Sequence, residues 1–222
     1  MVLLVDLSEV FIHGMYDMDK VIKHRFGIEL AERFKKRHEK PEVWAKLQDL
    51  FRGKISEEVY WKFFMKDGEP WPEGIKPTVF SSALEENLRK RIDGTVEVFQ
   101  NMVDLPKRVL VSDHIKEHVP FIMREHPEVF KLMDMTYWSC DLGFIKKDPD
   151  FFPRVLNLLE VSAENVLYID DYSVNLESAR NAGIKDTILF QNPAGLQMEL
   201  KNRGFTFKEE SAFAPGLIAA TA

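Results

Sequence analysis

The sequence predicts an α/β domain built on a doubly wound parallel sheet, with a helical segment inserted after the first strand. Three observations carry this expectation. Five short runs rich in Val, Ile, Leu and aromatic residues lack polar alternation, the pattern of strands buried on both faces of a parallel sheet. Helical spacing separates the last four runs, so strand and helix alternate as right-handed crossovers require. Between the first two runs lie about a hundred residues with helical spacing and no strand signal.

The five runs are Val2 to Val5, Arg108 to Ser112, Met135 to Ser139, Asn165 to Asp170 and Asp186 to Phe190. Of the helices between them, one holds Val119, Ile122 and Met123, and the next holds Phe151, Phe152, Val155, Leu156 and Leu159. A third runs from Leu176 to Ala182 and closes on Gly183, a C-cap residue. In the inserted stretch the spacing predicts helices over Asp19 to Phe26, Ile28 to Lys36, Pro41 to Phe51, Ser56 to Lys66 and Ala83 to Ile92. Ser56 caps the fourth, with Glu57 and Glu58 in its first turn, where acidic groups complement the helix dipole. Gly68, Pro70, Pro72, Gly74 and Pro77 break the pattern before the fifth. The expected division is an α/β core formed by residues 1–13 and 94–222, and a helical cap of residues 14–93 over one end of the sheet. Trp44, Phe51, Tyr60, Trp61, Phe63 and Phe64 read as the core of that cap rather than as a surface for stacking a substrate.

With 222 residues, 45% hydrophobic and 30% charged, the chain can bury a full core. A formal net charge of -6 argues against nucleic acid as a partner, because phosphate backbones are held by clustered Lys and Arg. The basic run Arg33 to Arg37 reads as a solvated helix face. Cys140 is the one cysteine, so there is no internal disulfide, and no Cys/His cluster has zinc-ligand spacing. No run approaches the roughly 18 apolar residues of a membrane span. The expectation is a cytoplasmic protein with no membrane partner, its oligomeric state left open.

The chemistry gathers at strand ends. Asp6 follows the first strand and Asp170-Asp171 the fourth, so a parallel sheet brings three carboxylates to its carboxyl edge, where open α/β sheets bind ligands. A single strand-end aspartate is ordinarily a cap or turn residue. Three together need a compensating cation, and Mg²⁺ suits a site that offers one or two carboxylates and leaves room for water and phosphate. Ser112 and Asp113 open a turn where a hydroxyl and backbone N–H groups can cradle phosphate oxygens. Lys146 or its neighbour Lys147, just ahead of a helix marked by Pro149 and Asp150, can offset the gathered negative charge.

In this order the residues resemble the four motifs of the haloacid dehalogenase superfamily, across nearly the whole chain. Asp6-Leu7-Ser8-Glu9-Val10 resembles the nucleophile motif and Val109-Leu110-Val111-Ser112-Asp113 the second. Lys146-Lys147-Asp148-Pro149-Asp150-Phe151-Phe152 is similar to the third, and its register selects Lys146. Tyr168-Ile169-Asp170-Asp171, followed by Asn175, Ala179, Arg180, Ala182 and Gly183, resembles the fourth. Arg52-Gly53-Lys54-Ile55-Ser56 also resembles the sugar-phosphate phosphatase branch and the phosphatase domain of soluble epoxide hydrolases.

The resemblance implies a Rossmann-like core with a cap, and a Mg²⁺-dependent phosphohydrolase acting on a small phosphorylated metabolite through an aspartyl-phosphate at Asp6. It implies Asp6, Asp171 and the backbone carbonyl of Ser8 as metal ligands, with Asp170 behind them supporting Lys146. Ser112, Asp113 and Lys146 are then the phosphate-binding residues. Ser8 departs from the family pattern, because the common motif carries there a second aspartate that protonates the leaving group. A catalytically impaired relative that binds a phosphorylated ligand or a protein partner therefore stays open beside the phosphatase. So does the metal-independent haloacid dehalogenase reaction, against which the Asp170-Asp171 pair argues. Of His13, His114 and His118 as replacement proton sources, His13 stands first by its place seven residues past Asp6, although a lone histidine near a helix start is ordinarily a cap or surface group.

Overall fold

The computed structural model describes residues 1–14, 18–65 and 77–208. Its strands are β1 (Val2–Val5), β2 (Lys107–Ser112), β3 (Met135–Trp138), β4 (Val166–Asp170) and β5 (Asp186–Leu189). Each matches one apolar run to within a residue at either end. All neighbours pair in parallel, in the order β3-β2-β1-β4-β5. Among the described residues, six helices lie between β1 and β2: α1 (Met18–Phe26), α2 (Ile28–His38), α3 (Pro41–Phe51), α4 (Glu57–Phe64), α5 (Pro77–Leu88) and α6 (Thr95–Asn101). The others are α7 (Val119–Glu125) and α8 (Pro127–Phe130) after β2, α9 (Ser139–Leu142) and α10 (Phe151–Leu159) after β3, α11 (Ser173–Asn181) after β4 and α12 (Pro193–Asn202) after β5.

Successive side chains of a strand point to opposite faces of the sheet, so one apolar run feeds two layers. Leu3, Val5, Leu110, Leu167 and Ile169 pack with Phe99 of α6, Phe121 and Ile122 of α7, and Leu196 and Leu200 of α12. Val2, Leu4, Val109, Val111, Val166 and Tyr168 pack with Phe151, Phe152 and Val155 of α10 and with Leu176 and Ala179 of α11. Helices thus cover both faces, which is the doubly wound arrangement. A third cluster, including Ile22, Leu30, Phe34, Leu47, Leu50, Tyr60, Trp61, Phe64 and Leu84, belongs to α1 through α5 and takes in Ile115 from the loop after β2.

The structure also corrects several boundaries. Pro77 opens α5 rather than preceding it, a position where proline's missing N–H is no loss. The helix stops at Leu88 and not Ile92, because the returning chain pairs with the outgoing one: His13 N–H donates to the Lys90 carbonyl and Ile92 N–H to the Phe11 carbonyl, both at 2.9 Å. Ser139 starts α9 instead of ending β3. Ser56 caps α4 as expected, its hydroxyl accepting from Val59 N–H at 3.3 Å. Lys66, Gly68, Pro70, Pro72 and Gly74 lie outside the described residues. Among the described residues no helix is long and apolar enough to cross a membrane.

Candidate functional site

β1 lies between β2 and β4, so the segments leaving these three strands meet at one edge of the sheet. Asp6 continues the ladder by donating its N–H to the Ile169 carbonyl at 2.9 Å, and its Oδ1 accepts Leu7 N–H at 2.7 Å and the Ser112 hydroxyl at 3.1 Å. Lys146 reaches in from the loop before α10, its ammonium 2.6 Å from Asp6 Oδ1 and 2.8 Å from Asp170 Oδ2. Asp170 is saturated. Besides Lys146 it accepts Tyr172 N–H at 2.8 Å, Asn175 Nδ2 at 3.1 Å and the Tyr168 hydroxyl. One carboxylate oxygen each from Asp6, Asp170 and Asp171 lies within 4.8 Å of the other two.

Four carboxylates, Asp6, Asp113, Asp170 and Asp171, thus surround one ammonium. Burial pushes Asp6 up to about 8; the Lys146 charge opposes this and the Asp170 and Asp171 charges reinforce it. Burial together with Asp170 likewise raises Asp171 to about 6. Burial alone would lower Lys146, but the charges of Asp170, Asp6 and Asp113 outweigh it and hold the ammonium above its ordinary range. Crowded acids that resist ionisation in this way are what a bound cation relieves. The donor set is all hard oxygen, which fits Mg²⁺.

The sequence-derived residues take distinct places. Lys146 is the inward lysine, while Lys147 Nζ sits 5.0 Å from the centre of the Tyr172 ring. Asp113 is half-buried, and its carboxylate accepts Lys146 N–H at 3.1 Å, so its side chain holds the lysine loop; loss of solvent around it raises it to about 6.

A cavity of about 590 Å³ opens over the cluster. Asp6, Ser8, Ser112, His114, Lys146 and Asp171 line it from the sheet edge, and Phe34, His38, Trp44, Leu47 and Phe51 from α2 and α3. Ser8 Oγ lies 3.0 Å from His114 Nε2. His114 is buried, and burial pushes it down to about 3, leaving a neutral ring. His13, by contrast, is exposed, 3.4 Å from Glu9, and does not line the cavity. The histidine beside Ser8 is therefore His114, not His13, and the sign of it in the sequence was its place two residues past the strand-end Ser112, on the same sheet edge as Ser8. The hydrogen bond of Tyr168 to Asp170 was missed, although Tyr168 stands two residues before Asp170 on the same face of β4.

Trp44 departs from the expected cap core, being 46% exposed, whereas Tyr60, Trp61 and Phe64 are buried. The end of α3 is fastened to the lysine loop. Arg52 grips Asp148 with two hydrogen bonds of 2.7 and 2.6 Å, while Asp148 accepts Ile145 N–H at 3.0 Å. Gly53 adopts φ +67, and a Cβ there would overlap the Cys140 carbonyl oxygen.

Sequence comparison places this geometry among known proteins. The family model described as haloacid dehalogenase-like hydrolase matches residues 15–189. Flavin mononucleotide hydrolase 1 of Arabidopsis thaliana, named as chloroplastic, is 25% identical over 211 residues, which make up 91% of this chain and 77% of that one. Bifunctional epoxide hydrolase 2 of Mus musculus is 35% identical over 83 residues, 37% of this chain and 15% of that protein. Among solved structures, a haloacid dehalogenase family enzyme of Bacteroides thetaiotaomicron, in complex with magnesium and inorganic phosphate, shares the fold with a TM-score of 0.65 at 15% identity, over 86% of this chain and 94% of that one. L-2-haloacid dehalogenase of Xanthobacter autotrophicus shares it with a TM-score of 0.57 at 11% identity, over 92% of this chain and 84% of that one. The family model matches well over half of the chain and a relative aligns over nine-tenths of it, so the chain belongs to the haloacid dehalogenase-like hydrolase family.

Proposed function

We propose that this hydrolase is a Mg²⁺-dependent phosphatase of small phosphorylated metabolites, with Asp6 as nucleophile. The observation that carries the reading is the Lys146 ammonium held between Asp6 and Asp170, with Asp171 beside them and its carboxylate not engaged in the contacts that saturate Asp170. Asp6, Asp171 and the Ser8 backbone carbonyl would hold the ion. Bound there, Mg²⁺ supplies the positive charge that keeps Asp6 ionised and offsets the charge of the phosphate.

Asp6 attacks phosphorus in line; the ester P–O bond breaks and its electron pair leaves with the ester oxygen. Water then attacks the phosphorus of the aspartyl-phosphate, freeing phosphate and regenerating the carboxylate. Ser112 and Lys146 hold the transferring oxygens, and Asp113 and Asp170 keep the lysine in place. Residues 14–93 act as a cap: they carry their own apolar core, and their α2 and α3 wall the cavity.

That wall narrows the substrate. Phe34, His38, Trp44 and Phe51 offer aromatic faces in a cavity of about 590 Å³, within the usual range for a small-molecule site. A phosphate ester carrying a planar ring fits this lining, and the flavin mononucleotide hydrolase relative makes that compound the first to try. A second reading, a binding protein of impaired turnover, is favoured by Ser8. The test measures phosphate release from flavin mononucleotide and from an aryl phosphate, with Mg²⁺ and with a chelator, for the wild type and Asp6→Asn. Mg²⁺-dependent release lost in Asp6→Asn is expected; release that survives the substitution, or wild-type binding without turnover, would defeat the phosphatase reading.

A further inference from the structure

Ser8 stands where the resembled motif carries a second acid, so the donor to the leaving oxygen has to be sought in the surroundings of Ser8. Ser8 is half-buried and lines the cavity together with Asp6. Its side chain is hemmed in: a Cβ on Gly14 would stand 2.9 Å from Ser8 Cβ, so that glycine leaves just enough room. Its Oγ lies 3.0 Å from His114 Nε2. His114 is itself fixed, its backbone N–H donating to Ser139 Oγ at 3.1 Å and its ring edge-on to Trp138 at 5.6 Å between centroids. Nδ1 of that ring is buried with no hydrogen-bond partner among the described residues.

A neutral imidazole carries one N–H, and the two tautomers make opposite use of Ser8. With the proton on Nδ1, a buried N–H would be left unpaired, which proteins rarely tolerate, and the Ser8 proton would be spent on Nε2. With the proton on Nε2, that N–H donates to Ser8 Oγ, and what stays unpaired is a lone pair. We infer that His114 is a positioning residue that donates Nε2–H to Ser8 Oγ and so leaves the Ser8 hydroxyl proton to hydrogen-bond the ester oxygen departing from phosphorus.

The inference rests on the phosphatase reading and deepens it. As the Asp6 oxygen bonds to phosphorus and the P–O ester bond breaks, the departing oxygen keeps the electron pair, accepts the Ser8 hydrogen bond and takes its proton from water. Neither Ser8 nor His114 gains or loses a proton. The pair thus stabilises a leaving oxyanion without acid catalysis, which favours substrates whose leaving group needs little help.

Two measurements test it. Two-bond ¹H–¹⁵N correlation spectra of the wild type, with His114 assigned by its loss in His114→Phe, report the tautomer without any turnover; protonated Nε2 is expected, and protonated Nδ1 overturns the inference. The second compares kcat/KM on alkyl and nitroaryl phosphates for the wild type, Ser8→Ala, His114→Phe and the double variant, with His114→Gln as rescue because its amide can donate from a similar place. Each single change should lower kcat on alkyl phosphates about 3- to 10-fold, the value of one hydrogen bond, with little effect on nitroaryl phosphates or on KM. The double variant should be no worse than either single one, and His114→Gln should recover most of the loss. Independent losses that multiply in the double variant overturn the pairing. A wild type inert toward every ester overturns the phosphatase reading and the catalytic use of the pair with it, an outcome distinct from an active wild type with multiplying losses.

Discussion

Asp170 and Asp171 are adjacent and chemically identical, yet their surroundings separate them. Asp170 is fully buried with both oxygens taken by Lys146, Asn175, Tyr172 N–H and Tyr168, whereas Asp171 is half-buried on the cavity wall. Asp171→Asn should therefore raise the Mg²⁺ concentration needed for activity, by about 10- to 100-fold, and leave the fold intact. Asp170→Asn should instead lower kcat and stability, because it removes the charge of one of the two carboxylates that the buried ammonium touches. Metal titrations and urea melts of both variants check this, and a reversed order would exchange their roles. The acids were legible in the sequence because they stand at the end of a strand or just past it. His114 could be named there but not ranked above His13, because what gives it meaning is Ser8, 106 residues away.

Between elements, two contacts carry consequences. Gly53 turns the chain out of α3 in a left-handed conformation against Cys140, so Gly53→Ala should cost about 1–3 kcal/mol and loosen the Arg52–Asp148 pair; a thermal melt equal to that of the wild type would contradict this. His118, buried at the start of α7 with Nε2 3.3 Å from Ser81 of α5, is pushed down to about 4 by burial. Its folded value lies below the ordinary 6.5, so the unfolded chain binds the extra proton between these values. The contribution of this neutral histidine is therefore complete above about pH 6.5 and lost as pH falls, reaching about 2 kcal/mol by pH 5. His118→Gln should flatten that part of the acid limb in urea unfolding, and an unchanged limb would show that His118 titrates normally. Helices with strong apolar periodicity, such as Pro41–Phe51, were legible to the residue, whereas the short α8 and α9 and the weakly patterned α12 were not, since their few apolar contacts are set by the sheet they land on.

At the scale of the molecule, a parallel sheet buried on both faces leaves an unmistakable trace of continuous apolar runs, and this made the architecture legible. The cavity was not, because its walls come from α2 and α3 on one side and three strand ends on the other, and no local pattern tells which face of α3 turns Trp44 toward it. The proposed chemistry depends above all on Asp6 as the group that takes the phosphoryl. The direct measurement is to mix the wild type with Mg²⁺ and a nitroaryl phosphate, quench in acid during turnover, and map the phosphoryl group by mass spectrometry of the N-terminal peptide. A phosphoryl group on Asp6, absent in Asp6→Asn, is the expected result. Turnover with the group on another residue, or with Asp6 never modified under conditions that preserve acyl phosphates, would contradict it.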